Sequence, residues 1–163
     1  MLLTADMKRV VDEQKLGFVA TVNADGTPNL SPKGTMQVLD DEHIVFAEIR
    51  SPGTMANIAR QPAMEINFVD PFARKGYRFK GTARVVAKDT PEFGSPIARY
   101  PVSLLADRYR TFIVVKVTSA APLISPAFSL RSNVLPFNLP IPTLYANDTS
   151  ASNFCCVSGT LTT

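Results

Sequence analysis

Apolar and polar residues alternate along several short stretches of the chain, and this period of two is typical of β-strands with one buried face. The clearest case puts Tyr77 and Phe79 on one face of a strand. Arg78 and Lys80 then fall on the opposite face. The predicted strands cover residues 18–22, 28–31, 35–39, 43–47, 63–69, 77–85 and 111–117.

A different spacing of apolar residues predicts two helices. Between Thr4 and Gln14 the apolar residues recur at helical spacing, and Thr4 is suited to cap the first turn. A second helix is predicted from Ser51 to Arg60, with Ser51 as its N-cap and Pro52 at its first position. This second helix interrupts the series of strands near its middle.

The turn residues indicate how the strands are connected. Asp25 and Gly26 lie between two apolar runs, which is a strong signal for a β-hairpin. About six short antiparallel strands with one inserted helix predict a mainly β protein, built as a closed or partly closed barrel. No strand is followed by the glycine pattern of a dinucleotide-binding fold, and the chain has no P-loop.

Composition and charge narrow the function classes. The 163 residues carry a net charge of only +3, and no basic run interleaves with aromatics, so nucleic acid is not an expected partner. No apolar run approaches the roughly 20 residues that span a bilayer, and residues 1–6 do not resemble a signal peptide. Cys155 and Cys156 are adjacent and form no metal or redox motif, which favours a reducing, cytoplasmic location.

The composition changes abruptly after Arg131. In residues 132–163 the only charged residue is Asp148, and three prolines rule out a regular helix in their part of the segment. We therefore divide the chain into a domain of residues 1–131 and an irregular C-terminal extension. The extension packs across the barrel, is poorly ordered, or is a non-native reading frame, and the sequence leaves these three readings open. Before it, residues 91–107 predict a broken helix.

Two small polar loops carry the strongest candidate chemistry, residues 31–35 and residues 50–54. Each contains hydroxyl groups, a glycine and a cation next to the end of a strand or helix. Such ends supply the N–H groups, hydroxyls and positive charge that a phosphate group needs. The alternatives are that Lys33 is an exposed lysine and that Ser51 and Thr54 merely cap a helix.

Five stretches in this order resemble the FMN-binding split β-barrel proteins of the pyridoxamine 5'-phosphate oxidase-like superfamily. They read FVATVNADGTP (18–28), SPKG (31–34), VFAE (45–48), RSPGTMANI (50–58) and GTA (81–83). The resemblance runs from residue 3 to residue 121 and implies a six-stranded antiparallel split β-barrel. It also implies a homodimer with an FMN in each of two clefts at the interface. The number of large apolar side chains, among them Phe46, Phe68 and Phe79, suggests the same pairing, because one small core is not expected to cover them all.

The resemblance also implies which residues hold the cofactor. Lys33 matches a basic position that binds the phosphate, Ser51 and Thr54 match the hydroxyl-bearing start of the helix, and Arg50 supplies a second charge. Residues 47–49 match the strand end whose backbone lies along the flavin, and Asn57 is placed to reach the phosphate or the ribityl chain. The candidate cofactor-binding residues are Ser31, Lys33, Thr35, Ala47, Glu48, Ile49, Arg50, Ser51, Thr54 and Asn57.

Other positions depart from the true pyridoxine-phosphate oxidases. The helix start lacks their basic pair, the tail lacks their Arg-x-His element, and His43 is the only histidine, so oxidation of vitamin B6 is not expected. The expected function is an FMN-dependent oxidoreductase or electron-transfer protein that acts on an unknown small molecule or redox partner. No side chain identifies itself as catalytic, and no metal site is expected. The alternatives are a non-catalytic module that holds FMN, haem or another planar ligand, and a barrel dimer without cofactor.

Overall fold

The computed structural model describes residues 2–87, 90–94, 109 and 111–124. Two helices, one short 3-10 helix and seven strands make up this part of the chain. The helices are α1 (Ala5–Gln14) and α2 (Pro52–Arg60), and the 3-10 helix is Pro91–Phe93. The strands are β1 (Gly17–Val22), β2 (Pro28–Lys33), β3 (Gln37–Val38), β4 (His43–Glu48), β5 (Ala63–Asp70), β6 (Lys75–Ala87) and β7 (Thr111–Ile124).

All seven strands belong to one sheet in the order β2-β1-β5-β6-β7-β4-β3, and every neighbouring pair is antiparallel. The predicted mainly β, split-barrel fold is confirmed, and each of the seven predicted strand ranges overlaps an observed strand, one more than the six-stranded barrel that was expected. The difference in number is small because β3 has only two residues. The position of the inserted helix α2, between β4 and β5, is as predicted.

The largest error in the predicted bounds concerns the last strand. The sequence pattern ends this strand at Val117, but β7 continues to Ile124. The added residues include Ser119 and Pro122, which rank low in strand propensity. They remain in the sheet because β6, with 13 residues, is nearly as long as β7, with 14, and pairs with it from Lys75 opposite Ile124 onward. A long partner strand therefore decides the end of β7, and the local sequence does not.

The main core lies on the face of the sheet that α1 covers and contains large aromatic side chains. Phe46, Phe68 and Phe79 are at most 1% exposed. The expectation that one chain could not cover them was wrong, because α1 closes this face with Met7 and Val11. Side chains on the opposite face of β4 and β7 form a second buried cluster. Its members are Val45, Ala47, Val86, Tyr109, Phe112 and Val114.

Helix α1 forms as the sequence predicts and is attached to the sheet by a polar contact. The Oγ1 of Thr4 accepts a hydrogen bond from the N–H of Met7 at 3.3 Å and so caps the first turn. The hydroxyl of Tyr77 on β6 donates to the carboxylate of Asp6 at 2.5 Å. Arg9 also binds Asp6, so the carboxylate joins the helix to the barrel within a small polar network.

Three earlier predictions concern parts of the chain outside the described residues. These are the C-terminal extension of residues 132–163, the adjacent Cys155 and Cys156, and most of the broken helix predicted over 91–107. In the described part of the chain, neither helix combines the length and the apolar content that a membrane-spanning helix requires.

Candidate functional site

The two polar loops singled out in the sequence meet where strands β2 and β4 end. Lys33 is the last residue of β2, Glu48 is the last residue of β4, and Ser51 directly precedes α2. The Nζ of Lys33 donates a hydrogen bond to the Oγ of Ser51 and lies 3.9 Å from the Oε2 of Glu48. A cation, a hydroxyl and a carboxylate thus share one site, next to the N-terminus of a helix.

Lys33 is a buried lysine, and only 7% of its surface is exposed. The alternative of an ordinary exposed lysine is therefore wrong. Burial lowers the pKa of Lys33, and the nearby charge of Glu48 acts in the opposite direction. A buried cation needs a counter-charge, so this lysine is suited to hold an anion.

Ser51 occupies the N-cap position of α2 but does not cap the helix with its side chain. Its Oγ accepts the hydrogen bond from Lys33 instead. The predicted N-cap position is correct, but the hydroxyl does not cap the helix as predicted. The Ser51 side chain is turned toward Lys33, so no hydroxyl caps the first turn of α2. The first N–H groups of the helix, at the positive end of its dipole, therefore lie next to the same site.

Thr35, two residues after Lys33, is hydrogen-bonded to the end of β4. The Oγ1 of Thr35 donates to the carbonyl of Ala47 at 3.0 Å and accepts from its N–H at 3.1 Å. The hydroxyl thus continues the β3–β4 pairing and fixes the backbone that was expected to lie along a flavin. Ile49 and Arg50 follow in the exposed turn that leads to α2.

Asn57 and Thr54 face inward from α2 and are buried. The Nδ2 of Asn57 donates to the Oγ1 of Thr21 at 3.0 Å and to the Oδ1 of Asn23 at 2.9 Å. These two bonds use both hydrogens of the amide, so in this arrangement only its carbonyl oxygen could accept from a ligand. The amide therefore fixes α2 against the first hairpin, beside the site.

Ser31 lies on the same inward face of β2 as Lys33 and is half-buried. Further along β2, the Nδ2 of Asn29 donates to the Oγ1 of Thr21 at 2.9 Å. Sequence reasoning missed this polar network of Thr21, Asn23, Asn29 and Asn57. The available signal was a run of hydroxyl and amide residues at alternate positions of the two hairpin strands.

The contact of the Glu48 side chain with Lys33 was also missed, since the sequence suggested only a backbone role for Glu48. In addition, no group of three or more His, Cys, Asp or Glu side chains that could hold a metal ion occurs within the described ranges. The charged groups at the site are the buried Lys33 and Glu48, with the exposed Arg50 and the N-terminus of α2 beside them.

Comparison with known proteins places the chain in a family. A family model described as pyridoxamine 5'-phosphate oxidase matches residues 3–121. The crystal structure of HupZ from Group A Streptococcus has 30% sequence identity and a TM-score of 0.65, and the match covers 76% of this chain and 96% of HupZ. A search of curated proteins finds no match.

Two solved structures with lower identity share the fold. An FMN-binding protein from Syntrophomonas wolfei is 14% identical with a TM-score of 0.60, over 74% of this chain and 85% of that one. HutZ, the haem storage protein from Vibrio cholerae, is 21% identical with a TM-score of 0.57, over 76% of this chain and 95% of HutZ. The family match confirms the resemblance seen in the sequence motifs, and the chain belongs to the pyridoxamine 5'-phosphate oxidase family of split-barrel proteins.

Proposed function

We propose that the protein binds FMN and acts as a flavin-dependent oxidoreductase or electron-transfer protein on a small molecule or redox partner. The observation that carries this proposal is the convergence of buried Lys33, Ser51 and the uncapped N-terminus of α2. Together they supply a cation, a hydroxyl and a helix dipole, which suit a phosphate group. When bound, the flavin supplies the chemistry of hydride and electron transfer.

The chain's own residues bind and orient the cofactor in this proposal. Lys33 and Ser51 hold the phosphate, and Arg50 adds a charge from the exposed turn. Thr35 and Asn57 keep the surrounding backbone in place through their bonds to Ala47 and Thr21. In this proposal the cofactor performs the redox chemistry, and these residues hold it in place.

We also propose that two chains form a symmetric homodimer in the cytoplasm, with the flavin held at the interface. Support for the pairing comes from the outward face of the β1–β2 hairpin, where Phe18, Val22 and Leu30 are exposed. Leu30 is 65% exposed, and adjacent apolar side chains on one face are typical of a protein interface. A dimer of the obligate kind would bury more than about 2,000 Å² in total.

A binding module for haem is the second candidate, and the fold shared with HutZ favours it. The chain's only histidine, His43, lies at the opposite end of β4 from Glu48. Its Nδ1 lies 2.8 Å from the Oδ1 of Asp40. Haem coordinated by His43 would therefore lie away from the phosphate-type site.

The test is a titration of the apoprotein with FMN and with riboflavin, followed by visible absorption and flavin fluorescence. We expect FMN to bind more tightly, because only FMN carries the phosphate that Lys33 and Ser51 would hold. Equal affinities would remove the phosphate argument. A Soret band after haem addition, with no flavin binding, would favour the second candidate.

A further inference from the structure

Glu48 has a feature that the proposed flavin site does not explain. Its side chain is 9% exposed, and its Oε2 is buried without accepting a hydrogen bond from the described residues. Burying a carboxylate oxygen without a donor is unfavourable, because the oxygen loses its hydration and gains nothing comparable. The backbone position of Glu48, opposite Thr111 of β7, is fixed by the sheet.

Among the described residues, the ammonium group of Lys33 forms an ion pair with this oxygen. Their separation of 3.9 Å is within ion-pair range but longer than a hydrogen bond. Lys33 meanwhile donates its hydrogen bond to Ser51. Glu48 thus supplies the counter-charge of the buried lysine without being held to it by a directed bond.

We propose that Glu48 is an internal anion that competes with the phosphate of a ligand for Lys33 and thereby limits the affinity of the site for anions. The inference rests on the proposed phosphate role of Lys33 and Ser51. A phosphate that reaches Lys33 meets the charge of Glu48 beside the same cation, so the carboxylate must move away or the two anions repel each other. The other charged residue next to the site, Arg50, is exposed and is not paired with Glu48 in the structure.

A different role for Glu48 would be to accept a hydrogen bond from a ligand hydroxyl. The structure favours competition, because the Oε2 is already buried against Lys33 and is not open to a donor from solvent. The two roles predict opposite effects when the charge is removed. Competition predicts tighter binding of phosphate compounds, and hydrogen bonding to the ligand predicts weaker binding.

The experiment compares the wild type with Glu48→Gln for three probes, namely FMN, riboflavin and inorganic phosphate. We expect FMN to bind about ten times more tightly to the variant, a moderate value for screened repulsion between like charges in one site. Riboflavin, which has no phosphate, should bind with nearly unchanged affinity. The phosphate concentration that gives half-maximal thermal stabilisation should also fall about tenfold, for the same electrostatic reason.

Two further variants control the interpretation. Glu65→Gln removes the same charge from an ion pair with Arg78 (2.9 Å) on the outward face of β5, and it should leave the ratio of FMN to riboflavin affinity unchanged. In Lys33→Met, the additional change Glu48→Gln should raise this ratio by less than it does in the wild type, because only the direct repulsion between the two anions remains and the competition for the lysine is gone. If Glu48→Gln does not fold, Glu48→Asp provides the test, because the shorter side chain withdraws the carboxylate and should raise the ratio severalfold.

The outcomes separate this inference from the proposed function. If the wild type prefers FMN to riboflavin but Glu48→Gln changes neither the affinity ratio nor the phosphate midpoint, the competition is overturned and the flavin site stands. Weaker FMN binding by the variant would also overturn it. If neither flavin binds but the phosphate midpoint shifts as expected, the flavin proposal fails and the competition holds for another phosphate ligand. If no probe binds either protein, both ideas fail.

Discussion

Replacing Lys33 by Met should separate the contribution of its charge to ligand binding from its contribution to packing. Methionine fills a similar volume but removes the ammonium group that donates to Ser51 and lies 3.9 Å from Glu48. Because Lys33 is only 7% exposed, both losses occur away from solvent. The variant should therefore change both FMN binding and the free energy of unfolding.

The magnitudes follow from these contacts. A charge-assisted hydrogen bond contributes about 1.5–3 kcal/mol, so FMN should bind roughly 10–150 times more weakly. Riboflavin should be affected much less, because it has no phosphate. Loss of Lys33 also leaves the buried Glu48 carboxylate without a counter-charge, which should reduce the free energy of unfolding by about 1–3 kcal/mol.

The assays are a flavin titration at low salt and urea unfolding followed by circular dichroism. Lys80→Met is the matched control, since Lys80 is exposed on the outward side of β6, and it should change neither quantity. The double variant Lys33→Met/Glu48→Gln should recover most of the lost stability, because both members of the pair become neutral, but not the FMN affinity. An unchanged dissociation constant for FMN in Lys33→Met would refute the assignment of Lys33 to the phosphate.

Three further predictions concern the supporting structure and the assembly. Burial raises the pKa of Asp6, but hydrogen bonds from Tyr77 and Arg9 lower it more, so the folded-state pKa lies below its ordinary value of 3.8. The stabilisation by Asp6 is therefore fully present above pH 3.8 and is lost as the pH falls through the lowered pKa. The free energy of unfolding of Asp6→Asn should be about 1–2 kcal/mol lower than that of the wild type at neutral pH, and this difference should shrink as the pH is lowered. A difference that stays constant with pH would contradict this prediction. Asn57→Ala loses the hydrogen bonds to Thr21 and Asn23, so its free energy of unfolding, measured with urea, should be about 1–3 kcal/mol lower than that of the wild type. A decrease of less than about 0.5 kcal/mol would show that the buried amide does not fix α2. Dilution of the holoprotein from micromolar to nanomolar concentration should dissociate the dimer and release the flavin together in sedimentation and fluorescence, whereas a monomer that retains FMN would exclude a shared site.

Local patterns determined most of the secondary structure. The spacing of Met7, Val10 and Val11 places the buried side of α1, and Thr4 caps it as predicted. The alternation predicted for residues 77–85 matches the observed burial as far as Arg84, with Tyr77 and Phe79 buried and Arg78 and Lys80 exposed, and fails at Val85, which is exposed. These features are predictable because a side chain's face depends only on the period of its own strand or helix.

The sequence also located the polar residues of the site but not their use. Ser51 stands at the N-cap of α2 as expected, yet its hydroxyl accepts from Lys33, which is far away in the chain and adjacent in space. Capping preferences describe an isolated helix end, whereas a buried ammonium group nearby is a stronger donor for the same oxygen.

Only the tertiary structure decided the strand order, the length of β7 and the pairing of Lys33 with Glu48. Strand order and length depend on which strands meet, as the continuation of β7 through Pro122 beside β6 illustrates. Lys33 ends β2, at one edge of the strand order, and Glu48 ends β4, next to the last strand at the other edge, so the two come together because the sheet curls. Contacts between residues distant in sequence arise from packing and sheet closure, which no local period encodes.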